Sequence, residues 1–388
     1  MDSSAPPLSI ASKPSLATYS VRSHMEEHGI YRDKGILKKP ALASFRKTVT
    51  QVVDERRESG VKPGSEAKYE RRLQWSSDDN EDTVLLKLLP CIIKDGRQVR
   101  APLADNKQND GEAPEGSAQD QDTNDVYAHV DFEEVGLQFS SNRQFARTYL
   151  PNIFDDQGFE AKIARELAKE QGMKNPKPDR IYGLDCDQLP IPKGNLLRPE
   201  TRSLITLVPN MKDAFFIIEG KSSNGGNMTK AAEQACRAGA CLVFSQRRLL
   251  AWTGHKDVDG PDERTYVYSA TMDANCMMIW VHFAVVRVLE DGSKDVNFYM
   301  EWIYSKTYRE NDALLYLRGV CHNILDWGVG ARKKALEERY RQIIEFDGRL
   351  MKDTALRSKV EATSKAEEQR AKKRRKRDDG TSVTTTRS

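Results

Sequence analysis

The stretch Ala214–Ser222, AFFIIEGKS, decides how the rest of the chain is read. Phe215, Phe216, Ile217 and Ile218 form an apolar run of buried-strand length, and the run ends on Glu219, Gly220 and Lys221. Residues i and i+2 of a strand share a face, so Glu219 and Lys221 project together while Gly220 faces the other way. With no side chain, Gly220 leaves its own carbonyl unshielded. A carboxylate and an ammonium at the end of a buried strand are costly unless they meet a partner there. A divalent cation is a natural partner.

Working upstream, PKPDRIYGL (176–184) reads as a short strand entered from prolines, with Asp179 at its start. Before it, QGFEAKIARELAKEQGM (157–173) has helical spacing and closes on Gly172. LITLVP (204–209) predicts a further strand. Downstream, the loop SSNGGN (222–227) opens a long helix, MTKAAEQACRAGACLVFSQRRLLA, rich in small residues. Strands TYVYSA, CMMIWVHFAVVRV and VNFYMEWIYSKTY follow, the last two joined across the hairpin signal EDGSKD. A helical run then begins at NDALLYLRGV, with Asn311 or Asp312 as its cap, and continues through ARKKALEERYRQII. Helix, strands, helix, strands, helix is the order of an α/β core.

The bulk numbers agree with a core carrying polar extensions. Of 388 residues, 38% are hydrophobic and 31% charged. The 61 basic and 58 acidic side chains leave a net charge of only +3, so charge on the whole chain gives no argument for a nucleic-acid partner. Six cysteines stand without a CxxC pair or zinc-finger spacing and read as reduced thiols. The Ser/Pro-rich start lacks a secretory apolar run, and Cys276–Val286 is too short to span a bilayer, which predicts a soluble intracellular chain with no membrane partner.

The expected organisation is a disordered tail at 1–24 and a helical extension at 25–103 that packs on the core. ALASFRKTVTQVVDERRES supplies the helical spacing in that extension, and the apolar run TVLLKLLPCII supplies a surface for docking. An acidic, low-complexity linker at 104–124 separates it from the main domain at 125–330, and a helix (331–370) and a basic disordered tail (371–388) follow.

Asp179, Glu219 and the carbonyl of Gly220 form a set of hard oxygen ligands, which suits Mg²⁺ or Mn²⁺ better than zinc. Next to such a cation, Lys221 is suited to orient a water and to offset charge on a pentavalent phosphoryl transition state. Proline followed by Asp179, then Glu219-Gly220-Lys221 closing an apolar strand, resembles the signature of the PD-(D/E)XK nuclease superfamily. The wording PKPDRIYGL, FFIIEGKSSNGG and AAEQACRAGA resembles, more narrowly, a fungal nuclease-like branch of undetermined function. The resemblance spans roughly residues 145–330 and implies a restriction-endonuclease-like α/β core, a central mixed sheet flanked by helices. It also implies metal-dependent hydrolysis of nucleic acid, DNA or RNA. Gln234, on the helix after the ExK strand, matches a glutamine found there in many branches. Either Glu160 or Glu166, on the preceding helix, matches an acidic residue aimed at the site, and Glu160, in the first turn, is preferred.

The 40 residues between Asp179 and Glu219 exceed what two hairpin-linked strands need, and the excess LDCDQLPIPKGNLLRPETR reads as an insertion loop near the site. Asp185 and Asp187 in it are either supporting ligands or solvated loop residues. Ser222 and Ser223 either donate to a phosphate or open the loop. His282 reads as a core residue, and Trp280, Trp302, Tyr304 and Tyr308 read as sheet aromatics. The plain alternative for Glu219 and Lys221 is a solvated strand-end ion pair. The functional alternative is a catalytically inactive module on the same fold that binds nucleic acid or a protein partner. Finally, Lys372–Arg377 in AKKRRKR reads as a nuclear-localisation signal or a nucleic-acid arm.

Overall fold

The computed structural model describes residues 16–54, 84–85, 88–89, 92–93, 136–145, 175–185, 189, 205–208, 211–222, 228–252, 260–288, 290, 294–308, 310, 313–352 and 358. These residues form a mixed eight-stranded sheet with helices, an α/β fold. The strands are β1 (Ile30–Arg32), β2 (Leu137–Ser141), β3 (Arg180–Asp185), β4 (Met211–Gly220), β5 (Gly260–Pro261), β6 (Val267–Met272), β7 (Cys276–Val288) and β8 (Lys294–Thr307). The helices are α1 (Leu16–Glu27), α2 (Ala43–Asp54), α3 (Met228–Trp252), α4 (Ala313–Trp327) and α5 (Lys333–Lys352). The main path across the sheet runs β1-β8-β7-β6-β4-β3-β2, with β5 paired to β7.

At one end of the sheet, β2, β3 and β4 form an antiparallel meander. β4 then pairs in parallel with β6, Phe216 beside Tyr268 and Glu219 beside Thr271. A parallel neighbour requires a crossover, and α3 supplies it. The β6–β7 connection is tight: Asp273 Oδ1 accepts from the amides of Asn275 at 2.7 Å and Cys276 at 2.9 Å, an Asx turn. β7 and β8 pair from Cys276–Thr307 to Val288–Lys294, as the hairpin signal predicts.

Helices cover both faces. α3 lies against the face bearing His282 and Ser269, and an added Cβ at Gly239 would fall 2.1 Å from His282 Nδ1. Only glycine permits an approach this close. On the other face, the hydroxyl of Tyr268 donates to the Val49 carbonyl of α2 at 2.8 Å, and Phe45 packs on Tyr266 and Phe283. Asn323 of α4 donates to the Val53 carbonyl at 3.2 Å, tying α4 to α2. One continuous core runs through these contacts. Between α4 and α5 the chain makes a π-helical turn, Gly328–Arg332.

Two expectations change. LITLVP is not a strand: Ile205, Leu207 and Val208 are buried, but Val208 makes only an isolated bridge to Met211. The amino-terminal extension is not purely helical, because its HGIYR segment adds β1 to the sheet edge, parallel to β8. Glu301 holds that edge, accepting from the amides of Lys34 at 3.0 Å and Ile36 at 3.2 Å. In TVLLKLLPCII, Val84, Leu85, Leu88, Leu89, Ile92 and Ile93 are all buried, and all but Val84 belong to the common core. The helix 157–173, the linker 104–124 and the tail 371–388 lie outside the described residues. No described helix is long and apolar enough to cross a membrane.

Candidate functional site

The site lies where β4 ends between β3 and β6. The β3–β4 register pairs Arg180 with Ile218 and Ile181 with Ile217, and continuing it by one residue brings Asp179 level with Glu219. A hydrogen bond agrees with that placement: the Gly220 amide donates to Asp179 Oδ2 at 2.7 Å. The backbone around Asp179 is held as well, its carbonyl accepting from the Asn142 amide at 3.0 Å. On the other side of β4, the Lys221 amide donates to the Met272 carbonyl at 2.9 Å. The ExK segment is therefore tied on one side through the Asp179 carboxylate and on the other through the backbone of Met272.

Burial gives these charges weight. Glu219 is 1% exposed and Lys221 8%. Cross-strand neighbours sit with Cβ atoms about 4.5–5.5 Å apart, where like charges are unfavourable. Two carboxylates held this way gain from any cation between them. The reverse face of Gly220 is closed by Leu85: an added Cβ would lie 2.8 Å from Leu85 Cγ and Cδ2. The amino-terminal apolar run thus packs directly behind the ExK segment.

α3 closes the site from the front. Arg237 carries a lowered pKa because burial disfavours its charged form, an effect opposed by the charges of Cys241, Glu219 and Glu233. Its guanidinium is therefore electrostatically coupled to Glu219. The reading from sequence missed Arg237, and its only signal was position: one helical turn beyond Gln234, on a stripe that continues to Cys241. Gln234 is half-buried on the same stripe, and its Oε1 has no hydrogen-bond partner among the described residues. Thr271, fully buried beside Glu219 on β6, accepts the indole N–H of Trp280 at 2.8 Å.

Asp179, Glu219, Gly220 and Lys221 thus come together, with Gln234 and Arg237 on the helix above. Glu160, Glu166, Asp187, Ser223 and His255 lie outside the described residues. Asp185 does not belong here: it pairs with Met211, at the opposite end of β4. His282 is a core residue, its Nε2 2.7 Å from Ser269 Oγ, and burial holds its pKa down to about 3.

As a cation site the donor set is fitting in kind and small in number. Asp179, Glu219 and the Gly220 carbonyl are all hard oxygen donors. Among the described residues no group of three or more His, Cys, Asp or Glu side chains is placed to hold a metal. A Mg²⁺ ion commonly keeps several waters and takes only one or two protein carboxylates, so two acids are enough for it.

The fold and site define a mixed-sheet α/β protein with a buried glutamate, a half-buried aspartate and a lysine at the end of its central parallel strand. The chain belongs to the family described as Domain of unknown function (DUF7924), whose profile matches residues 68–339. That span begins before the Leu85 run and ends inside α5, leaving β1 and α2 outside it. No curated protein and no solved structure matches the chain.

Proposed function

We propose that this chain is a metal-dependent nuclease, hydrolysing phosphodiester bonds of nucleic acid at Asp179, Glu219 and Lys221. The observation that carries the reading is the bond from the Gly220 amide to Asp179 Oδ2 at 2.7 Å, which ties Asp179 to the ExK segment next to Glu219. Further support comes from topology. An antiparallel meander, a crossover helix and a parallel strand are the arrangement expected of a restriction-endonuclease-like core, with the acids at the carboxyl end of its central strand.

Asp179, Glu219 and the Gly220 carbonyl would hold Mg²⁺ or Mn²⁺, which would supply Lewis acidity toward the phosphoryl oxygen. The chain's own residues do the remainder. Lys221, on the same face as Glu219, orients the attacking water and offsets charge that develops on the phosphoryl oxygens. Arg237, coupled to Glu219, sets a positive charge within electrostatic reach of that carboxylate. Gln234, one turn earlier on α3, contributes a polar group to the same face. The basic run Lys372–Arg377 fits nuclear import or sequence-independent contact with a phosphate backbone.

The test is cleavage of plasmid DNA, single-stranded DNA and RNA in Mg²⁺ or Mn²⁺ by the full chain, beside Asp179→Asn and Lys221→Met. Cleavage by wild type that falls at least a hundredfold in both variants is expected. Wild type as inert as the variants on every substrate and metal refutes the activity, and retained nucleic-acid binding in that case favours an inactive binding module.

A further inference from the structure

We infer a second ligand site at the end of the sheet remote from the acid pair: the cavity between β6, α3, the π turn and α5 takes a small organic anion with an apolar body. Asp213, which organises this end, precedes Glu219 by six residues on β4. At about 3.3 Å per residue, roughly 20 Å separate the two sites. The cavity measures about 310 Å³. That is the lower end of the roughly 300–1,000 Å³ typical of small-molecule sites.

Its walls mix apolar surface with guanidinium groups: Leu250, Tyr266, Trp327 and Leu336 together with Arg264 and Arg339. Behind them lies an ionic network built on two buried aspartates. Arg332 donates from Nε to Asp213 Oδ2 and from Nη1 to the Tyr266 carbonyl, both at 2.8 Å. Gln246 donates to the same aspartate at 2.9 Å. Asp262 takes Arg264 at 2.8 Å and Arg247 at 3.6 Å. Arg339, only 6% exposed, donates from Nη2 to a neutral acceptor, the Arg264 carbonyl, at 3.0 Å. Its Nη1 has no hydrogen-bond partner among the described residues. Arg339 therefore brings a buried guanidinium, held through a neutral carbonyl, to the cavity wall. Glu263 and Glu338 stand at the exposed mouth, where Glu338 is engaged by Arg341 at 2.7 Å and Gln342 at 3.2 Å.

The ligand's apolar part is defined by what is already occupied. Tyr266 stacks on Trp327 at 4.8 Å and 23°, and the Arg332 guanidinium lies 5.0 Å from the Trp327 ring centroid. With Trp327 engaged by both, a ligand meets its edge and the aliphatic side chains rather than a stacking platform. Two backbone irregularities frame the cavity. Asp213 sits at φ 46°, a left-handed conformation unfavourable for a non-glycine residue. The Gly328–Arg332 turn is π-helical, a geometry that concentrates at functional sites. Both irregularities serve to aim Asp213 and Arg332 at one another.

The experiment is calorimetric titration of the full chain with benzoate, phenyl phosphate and, as a cation of matching size, benzylamine. Saturable binding of benzoate or phenyl phosphate is expected, with no binding of benzylamine, and the two anions separate a carboxylate ligand from a phosphate ester. Arg339→Met lowers that affinity at least tenfold. Ala335→Trp, at an exposed helical position on the cavity wall, abolishes it by filling the space while leaving Arg339 in place. Three results overturn the assignment: no anion binds, benzylamine binds as tightly as the anions, or both variants bind like wild type. No residue of the acid pair enters this test, so its outcome is independent of the proposed hydrolysis.

Discussion

Replacing Asp179 separates its two roles, because asparagine and alanine remove different things. The carboxylate accepts the Gly220 amide at 2.7 Å and stands across from the buried Glu219. Asp179→Ala leaves that amide without its acceptor, which costs about 1–3 kcal/mol. Asp179→Asn keeps an acceptor oxygen and removes a charge that repels Glu219, so without metal it melts at or above wild type. Added cation reverses the order. At about ten times its Kd, a bound ion stabilises the folded state by about 1.4 kcal/mol. For a folded unit of this size that is a rise of about 3–6 °C in melting temperature. Wild type gains this rise in Mg²⁺ or Mn²⁺; Asp179→Asn does not. The assay is a melt of all three proteins with and without metal. Equal rises in wild type and Asp179→Asn, or no rise in wild type across millimolar metal, refute Asp179 as a ligand.

Three further outcomes follow from buried groups elsewhere. Arg332→Met strands Asp213, whose side chain is 2% exposed, and destabilises by about 3–5 kcal/mol in urea unfolding; a loss under about 1 kcal/mol contradicts a buried ion pair. Gly239→Ala drives a methyl into the His282 ring, and overpacking of about 1–3 kcal/mol outweighs the gain of about 1 kcal/mol in helix propensity. An unchanged or raised urea midpoint contradicts that contact. For His282, the folded pKa of about 3 lies below the unfolded value of about 6.5. The unfolded chain therefore takes up a proton that the folded chain refuses, so this contribution is intact above pH 6.5 and is lost as pH falls toward 3, by about 1.4 kcal/mol per unit. Denaturation at stepped pH detects it as a slope that flattens in His282→Leu.

Strands β4 and β7 were legible because burial on both faces writes itself as continuous apolar sequence. FFII and CMMIWVHFAVVRV are such runs, and β7 coincides with the latter from Cys276 to Val288. LITLVP has the same composition but no neighbour to pair with beyond Met211, so burial alone did not make it a strand. Burial is a property of the surroundings, and a short apolar run carries no record of which surroundings it meets.

The sequence by itself determined that Glu219 and Lys221 share a face, that Gly220 turns away from them, and that a long small-residue helix follows the strand. These are consequences of backbone periodicity, which is local. Only the tertiary structure decided that Asp179, 40 residues upstream, pairs across from Glu219, that Leu85 closes the rear of Gly220, and that Arg237 lies within electrostatic reach of Glu219. It alone assembled Asp213, Arg332 and Arg339 at the far end of the sheet. Strand register and helix docking are set by the whole core, and no local pattern specifies which distant partner a buried charge will meet.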